Sequence, residues 1–321
     1  MILRAAAAIV ALDLILISPL AHREAGASSQ PASGRTIALT FDDLPASQAP
    51  DDVAHVMKLN STIVAALQSV KAPAVGFVNE GKLTSDGREG QVEALRLWIR
   101  AGLPLGNHTR SHWDLNDTPI EKYIADILEG ESVTAYLRLR ANMTEKWFRH
   151  PYTHTGPTKE IKDRLNAFLK RQGFTVAPFT VEHVDYLFSD RYRGARLRKD
   201  DALAKKIGYA YLVHLDTMLA FFEGLSRETF GREIAQTLLI HVNDINADYL
   251  PAMLEKMKAR GYAFVSLKDA MQDAAYQTPD DYVGTAGPSW LHRWRVAKGL
   301  PSKLPAEPDP PKWVSELPPA R

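Results

Sequence analysis

Two adjacent carboxylates, Asp42 and Asp43, close the stretch Ala38-Leu39-Thr40-Phe41-Asp42-Asp43. The apolar run before them reads as a buried strand. If strand alternation sends the two acids to opposite sides, one can bind a metal while the other handles a proton. A strand running into a solvated turn also ends readily in Asp, so the pair alone decides nothing. His108 and His112 stand four residues apart in Asn107-His108-Thr109-Arg110-Ser111-His112. On a helical turn that spacing puts both imidazoles on one side. Two histidines and a carboxylate with open positions make a catalytic divalent-metal site. The chain has no cysteine, so disulfides, thiolate zinc sites and Cys nucleophiles are excluded. Any metal must therefore use His and carboxylate ligands. Other polar clusters are Arg149-His150-Pro151-Tyr152, Glu182-His183-Val184-Asp185-Tyr186 and His241.

The elements that position these residues alternate. Strands are expected at 35–41, 74–78, 103–105, from 147, 174–179, 237–240 and 262–265, with helices at 51–70, 89–101, 158–172, 199–225 and 248–260. Thr118-Pro119-Ile120-Glu121 has the form of a capping box with proline at the first helical position, so a further helix starts there. Alternating strands and helices argue for an α/β fold with a parallel sheet. Seven such units in roughly 240 residues suit a barrel-sized single domain. The polar clusters all fall where strands end, the face on which such barrels do chemistry.

The chain's 321 residues are 45% hydrophobic and 24% charged with a net charge of +1, enough for a sizeable core. Neither a basic patch interleaved with aromatics nor a Gly-rich phosphate loop is present, so no nucleic-acid partner is expected. After Arg4, residues 5–21 are almost wholly apolar apart from Asp13, and Ala25-Gly26-Ala27 offers a small-x-small cleavage site. Residues 1–27 are expected to be a signal peptide, with a retained anchor as the alternative. Residues 28–34 read as a polar linker, 35–275 as the catalytic domain and 276–321 as a Pro-rich, extended or mobile tail. The expected location is periplasmic or secreted, with no membrane span after cleavage.

Taken together, Thr40-Phe41-Asp42-Asp43, His108-Thr-Arg-Ser-His112, Arg149-His-Pro-Tyr152, Asp185-Tyr186 and Leu239-Ile-His241 closely resemble the polysaccharide deacetylase family of NodB homology, carbohydrate esterase family 4. The motifs occur in family order between residues 38 and 244. The resemblance implies an α/β, distorted (β/α)7 barrel, a single catalytic domain, and metal-dependent removal of acetyl groups from N- or O-acetylated polysaccharide or oligosaccharide. Asp43, His108 and His112 would then hold the metal, usually zinc. Asp42 would be the general base acting on a metal-activated water, with Arg149 keeping it ionised and aimed. The backbone N–H of Tyr152 would join the oxyanion hole. His241 would be the general acid, oriented by Asp185, and Leu239 would lie along the acetyl methyl pocket. This agrees with elementary chemistry: a metal acidifies water and polarises a carbonyl, and one group must take a proton while another gives one.

Two departures stand out. The family often has Asp-x-x-Asp-Trp where this chain has Glu182-x-x-Asp185-Tyr186, so Tyr186 is the candidate sugar contact there. After His241 the family often continues with Asp, whereas Val242-Asn243-Asp244 follows here. His150 and His154 are expected on the surface, with lining of the cleft as the alternative, and His183 and His214 in structural roles. Trp113 fits a sugar platform or the core. The Arg191, Arg193, Arg196 and Arg198 cluster is expected to be a solvated face, with an anionic-glycan contact as the alternative, and Trp290 and Trp294 to anchor the tail. The rival readings are a non-catalytic glycan-binding relic of the same fold and a deacylase of a small amide.

Overall fold

The computed structural model describes residues 34–320. The expected signal peptide, 1–27, and nearly all of the linker, 28–34, lie outside the described residues.

Among the described residues seven strands form: β1 (Arg35–Leu44), β2 (Ala74–Val78), β3 (Leu105–Asn107), β4 (Trp147–Phe148), β5 (Thr175–Val176), β6 (Gln236–His241) and β7 (Tyr262–Phe264). They lie in the order β5-β4-β3-β2-β1-β6, with β7 paired to the N-terminal end of β1. Every ladder is parallel. Beyond β5 the chain crosses to β6, where Val181 bridges Leu238 and closes the ring. This is the distorted (β/α)7 barrel that the sequence leads one to expect.

The helices are α1 (Val53–Ser69), α2 (Arg88–Arg100), α3 (Ile120–Glu129), α4 (Ser132–Arg140), α5 (Lys159–Arg171), α6 (Asp185–Leu197), α7 (Asp201–Phe230), α8 (Asp244–Ala259), α9 (Leu267–Ala270), α10 (Trp290–Ala297) and α11 (Lys312–Ser315). Because helices cover the sheet, β1 is buried almost throughout and reads as a continuous apolar run. Several helices start on a polar cap: the side chains of Asp52, Thr158, Asp200 and Asn243 accept from His55, Ile161, Leu203 and Asn246 N–H groups. The expected capping box at Thr118 does not form. Pro119 is the cap of α3, with non-helical ψ of 135°, so Thr118 stands one residue too early to reach the first turn.

Strand β5 is shorter than expected, because the chain leaves β4 after Val176 to reach β6. Between β5 and β6 the expected helix at 199–225 forms as α7, preceded by an unexpected helix, α6, and the apolar stripe of α7, including Ile207, Tyr211, Leu215 and Phe222, joins the main core. The tail expected to be extended is helical in part. Its Trp290, Leu291 and Trp294 are buried, an apolar stripe that the surrounding prolines obscure in the sequence. Among the described residues, no helix is long and apolar enough to cross a membrane.

Candidate active site

Strand β1 delivers Asp42 and Asp43 to the C-terminal end of the barrel, beside His241 at the end of β6, which pairs with Asp42 in register. The two acids do not point apart. Asp43 has left-handed backbone, φ 70°, and the β1–β2 register slips between Phe41 and Leu44. This bulge suspends the strand's alternation and turns both carboxylates toward His108. Its Nε2 lies 3.8 Å from Asp42 Oδ2 and 4.0 Å from Asp43 Oδ1.

His108 and His112 also converge by a route other than the helical turn their spacing suggests. Residues 108–112 form a loop after β3, with Thr109 at φ 62° and His112 at φ 54°. Asn107 Oδ1 accepts from the Thr109 N–H at 2.7 Å, Thr109 Oγ1 accepts from the His112 N–H at 3.0 Å, and Asn79 Nδ2 donates to the His108 carbonyl at 2.5 Å. These side-chain bonds replace the helical ladder and bring the rings to a centroid separation of 5.0 Å.

Asp43, His108 and His112 each offer one ligand atom, all within 4.8 Å of one another. The donor chemistry fits a divalent ion. His108 Nδ1 donates to the Arg149 carbonyl at 2.8 Å; a carbonyl only accepts, so the lone pair must sit on Nε2 and face the acids. Burial pushes His108 down to about 3, Asp43 partly offsetting it, and burial with His108 beside it pushes His112 down to about 4. Both rings are therefore neutral at ordinary pH, as ligands must be. Asp43 Oδ1 is buried without a hydrogen-bond partner. Burial acts against its charged form, but Lys82 and the neighbouring histidines outweigh it and hold the carboxyl low. Lys82 Nζ lies 3.0 Å from that same oxygen.

Asp42 sits one step deeper. Burial raises its pKa, with Arg149 pulling the other way. Arg149 is fully buried, donates from one guanidinium nitrogen to Thr40 Oγ1 at 2.9 Å and places another 3.5 Å from Asp42 Oδ2. Asp42 Oδ1 has no hydrogen-bond partner.

Beside Asp42 on the His241 side, Asp185 opens α6 immediately after Val184, a β-branched residue at φ 47°. Its Oδ1 lies 2.8 Å from His241 Nδ1. Its Oδ2 accepts from the His241 N–H at 2.9 Å, Asn243 Nδ2 at 2.8 Å and Asn246 Nδ2 at 2.6 Å. Burial alone would lower His241, yet the charge and hydrogen bond of Asp185 lift it to about 9. Asp185 itself comes down to about 2 against its own burial, through the charge of His241.

The candidate substrate contacts frame this pocket. Tyr152, at φ 54°, is half exposed with its ring 4.7 Å from that of His112. Tyr186 is equally exposed, 6.3 Å from the His241 ring. Leu239 is buried on β6 beside Thr40. His150, expected on the surface, is instead buried edge-on against Phe148, because the chain after β4 runs inward. The arginine cluster is largely paired, Arg191 with Asp190, Arg193 with Asp244 and Arg196 with Asp201. Sequence reasoning missed Lys82, Asn243 and Asn246. The strand-end rule reaches Lys82, four residues past β2, and the cap pattern at Asn243 points to the asparagines.

The polysaccharide deacetylase family model matches residues 29–177. No curated protein sequence matches the chain. Among solved structures, the chain is similar to a family 4 carbohydrate esterase pseudoenzyme from Bacillus anthracis, at 12% identity and TM-score 0.51 over 74% of this chain and 66% of that one. A mutant of that protein with restored enzymatic activity gives 13% identity and TM-score 0.50 over 74% and 68%. A family 4 carbohydrate esterase from Bacillus subtilis gives 18% identity and TM-score 0.49 over 74% and 81%.

Proposed function

The chain carries the pattern of the polysaccharide deacetylases, and from that premise we propose that it is a metal-dependent hydrolase removing acetyl groups from an N- or O-acetylated carbohydrate. The observation that carries this reading is the convergence of Asp42, Asp43, His108 and His112 at one end of the sheet, with the His108 lone pair turned toward both acids.

Asp43, His108 and His112 would hold a divalent ion, most simply zinc, which when bound would supply Lewis acidity toward water and the acetyl carbonyl. Asp42 then takes a proton from the attacking water. Arg149 aims it, and burial keeps it a stronger base than an ordinary carboxylate. The water oxygen bonds to the carbonyl carbon, and the Tyr152 N–H donates to the oxyanion that develops. His241, held protonated by Asp185, gives its proton to the leaving nitrogen or oxygen as the bond to carbon breaks, releasing acetate. Tyr186 and Tyr152 offer ring faces to a sugar, and Leu239 borders the methyl group.

The test is acetate release from chitin oligomers, peptidoglycan and acetylated xylan, with chelator and after zinc is added back. Release that chelator stops and zinc restores supports the reading. Glycan binding without release from any substrate supports the non-catalytic relic instead. The proposed location is periplasmic or secreted, from the apolar stretch before Ala25-Gly26-Ala27. Protein taken from a bacterial envelope should begin near Ser28, and mass spectrometry finding intact Met1 would favour an anchor.

A further inference from the structure

We infer that Arg293, in α10, is a positioning residue of the active site: it holds the loop after Arg149 so that the Tyr152 N–H keeps its aim. The inference rests on the role proposed above for that N–H.

Arg293 is fully buried. Its Nε donates to the Pro288 carbonyl at 2.8 Å, one terminal nitrogen donates to Thr155 Oγ1 at 2.7 Å and to Asp280 Oδ2 at 3.2 Å, and the other donates to the Thr153 carbonyl at 2.7 Å. One guanidinium thus ties the C-terminal segment to two residues of the loop that carries Tyr152. A buried charge needs such complete bonding to be tolerated. The ring of Trp290 lies 4.1 Å from the guanidinium carbon, and the Trp290 backbone N–H donates to the Phe179 carbonyl at 2.9 Å, so the arginine is anchored to the barrel wall.

The loop needs holding. Tyr152 and Thr153 are consecutive non-glycine residues in the left-handed region, at φ 54° and 58°. A Cβ disfavours that region, and two in succession persist only where their surroundings fix them. The C-terminal segment does so at a second point: Thr153 Oγ1 donates to the Gly287 carbonyl at 2.7 Å. The approach there is so close that a Cβ on Gly287 would lie 2.3 Å from the Tyr152 carbonyl oxygen and 2.0 Å from Thr153 Oγ1. The metal-ligand candidates hang from β1 and the β3 loop, and none of them is hydrogen-bonded to Arg293; the braced loop reaches them only through the Tyr152 ring beside His112. A fault in this brace should therefore impair turnover far more than metal binding.

The experiment compares Arg293→Met, Arg293→Lys and Gly287→Ala with the wild type for kcat and KM on an acetylated chitin oligomer, zinc affinity, and amide hydrogen exchange in residues 150–156. Arg293→Met is expected to lower kcat by about 10²-fold, the effect of a misplacement of about 1 Å. KM and zinc affinity should stay near wild type, and exchange in 150–156 should quicken. Arg293→Lys should recover part of kcat, since one donor survives. Gly287→Ala should reproduce the kcat loss without removing the buried charge, and it decides the matter if Arg293→Met does not fold. Folded variants with wild-type kcat, or a kcat loss matched by an equal loss of zinc affinity, would overturn the inference. A wild-type protein that releases no acetate from any substrate would overturn the proposed function, and the inference with it.

Discussion

The two halves of the candidate site, around His241 and around Asp43, are built in opposite ways. On the His241 side every oxygen of Asp185 is engaged, by the His241 ring and N–H and by Asn243 and Asn246. On the Asp43 side, Asp42 Oδ1 is buried without a hydrogen-bond partner, Asp43 Oδ1 has only the Lys82 ammonium 3.0 Å away, and two neutral imidazoles face them. A satisfied network fixes one geometry and holds one proton. Buried carboxylate oxygens with so few donors are costly in isolation and mark a place for a ligand or a reacting group. The first side reads as a fixed acid and the second as a receptor for metal and water.

The strongest way to break this contrast is to remove a receptor histidine. His108→Ala or His112→Ala should abolish both zinc binding and acetate release, since no cysteine can substitute. Full zinc occupancy in both variants would remove them from the ligand set. The corresponding change on the other side should act differently. His241→Ala should keep zinc and lose roughly 10²–10⁴-fold in rate on an amide. The loss should be smaller on an activated ester, whose leaving group needs little protonation. Equal losses on both would count against its role as the acid.

The pH profile sharpens the same point. His241 is raised from 6.5 to about 9, so its acid form, and with it kcat, should persist as pH rises until about 9 and fall beyond. Its contribution to folding stability has the same sign, full below about 6.5 and lost as pH rises through about 9. Asp185→Asn should move the alkaline limb of kcat downward toward the ordinary histidine range. An unmoved limb would assign it to another group. The smallest effect is expected at Lys82. Its ammonium competes for the charge of Asp43 Oδ1, so Lys82→Met should tighten zinc binding by about tenfold at most. Weaker binding would make Lys82 a support of the ligand rather than its rival.

Much of this was legible in the chain because parallel strands buried on both faces write themselves as apolar runs, and the residues ending those runs are conspicuous. Asp42, Asp43, His108, Arg149 and His241 stand out for that reason. The local paths were not legible. The left-handed turn at His112 depends on bonds made by Asn79, Asn107 and Thr109, and neither that turn nor the bulge at Asp43 is announced by any periodicity. Strand β5 is cut short by a crossing that only the closed barrel requires. Arg293 lies in a segment whose prolines suggest an extended chain, and its partners in the loop at 153–155 are far away in sequence. Lys82 stood where the strand-end rule points, but a single lysine in Asn-Glu-Gly-Lys carries no spacing signal.

The central claim is that adjacent acids, turned into one pocket by a bulge, divide the work: Asp43 binds metal and Asp42 takes the proton. Zinc titration of Asp43→Asn and Asp42→Asn, with acetate release measured on the same samples, tests it most directly. Asp43→Asn should bind zinc far more weakly and lose activity with it. Asp42→Asn should bind zinc like the wild type while turnover falls by about 10²–10⁴-fold. Zinc lost from Asp42→Asn while Asp43→Asn keeps both zinc and activity would contradict the assignment.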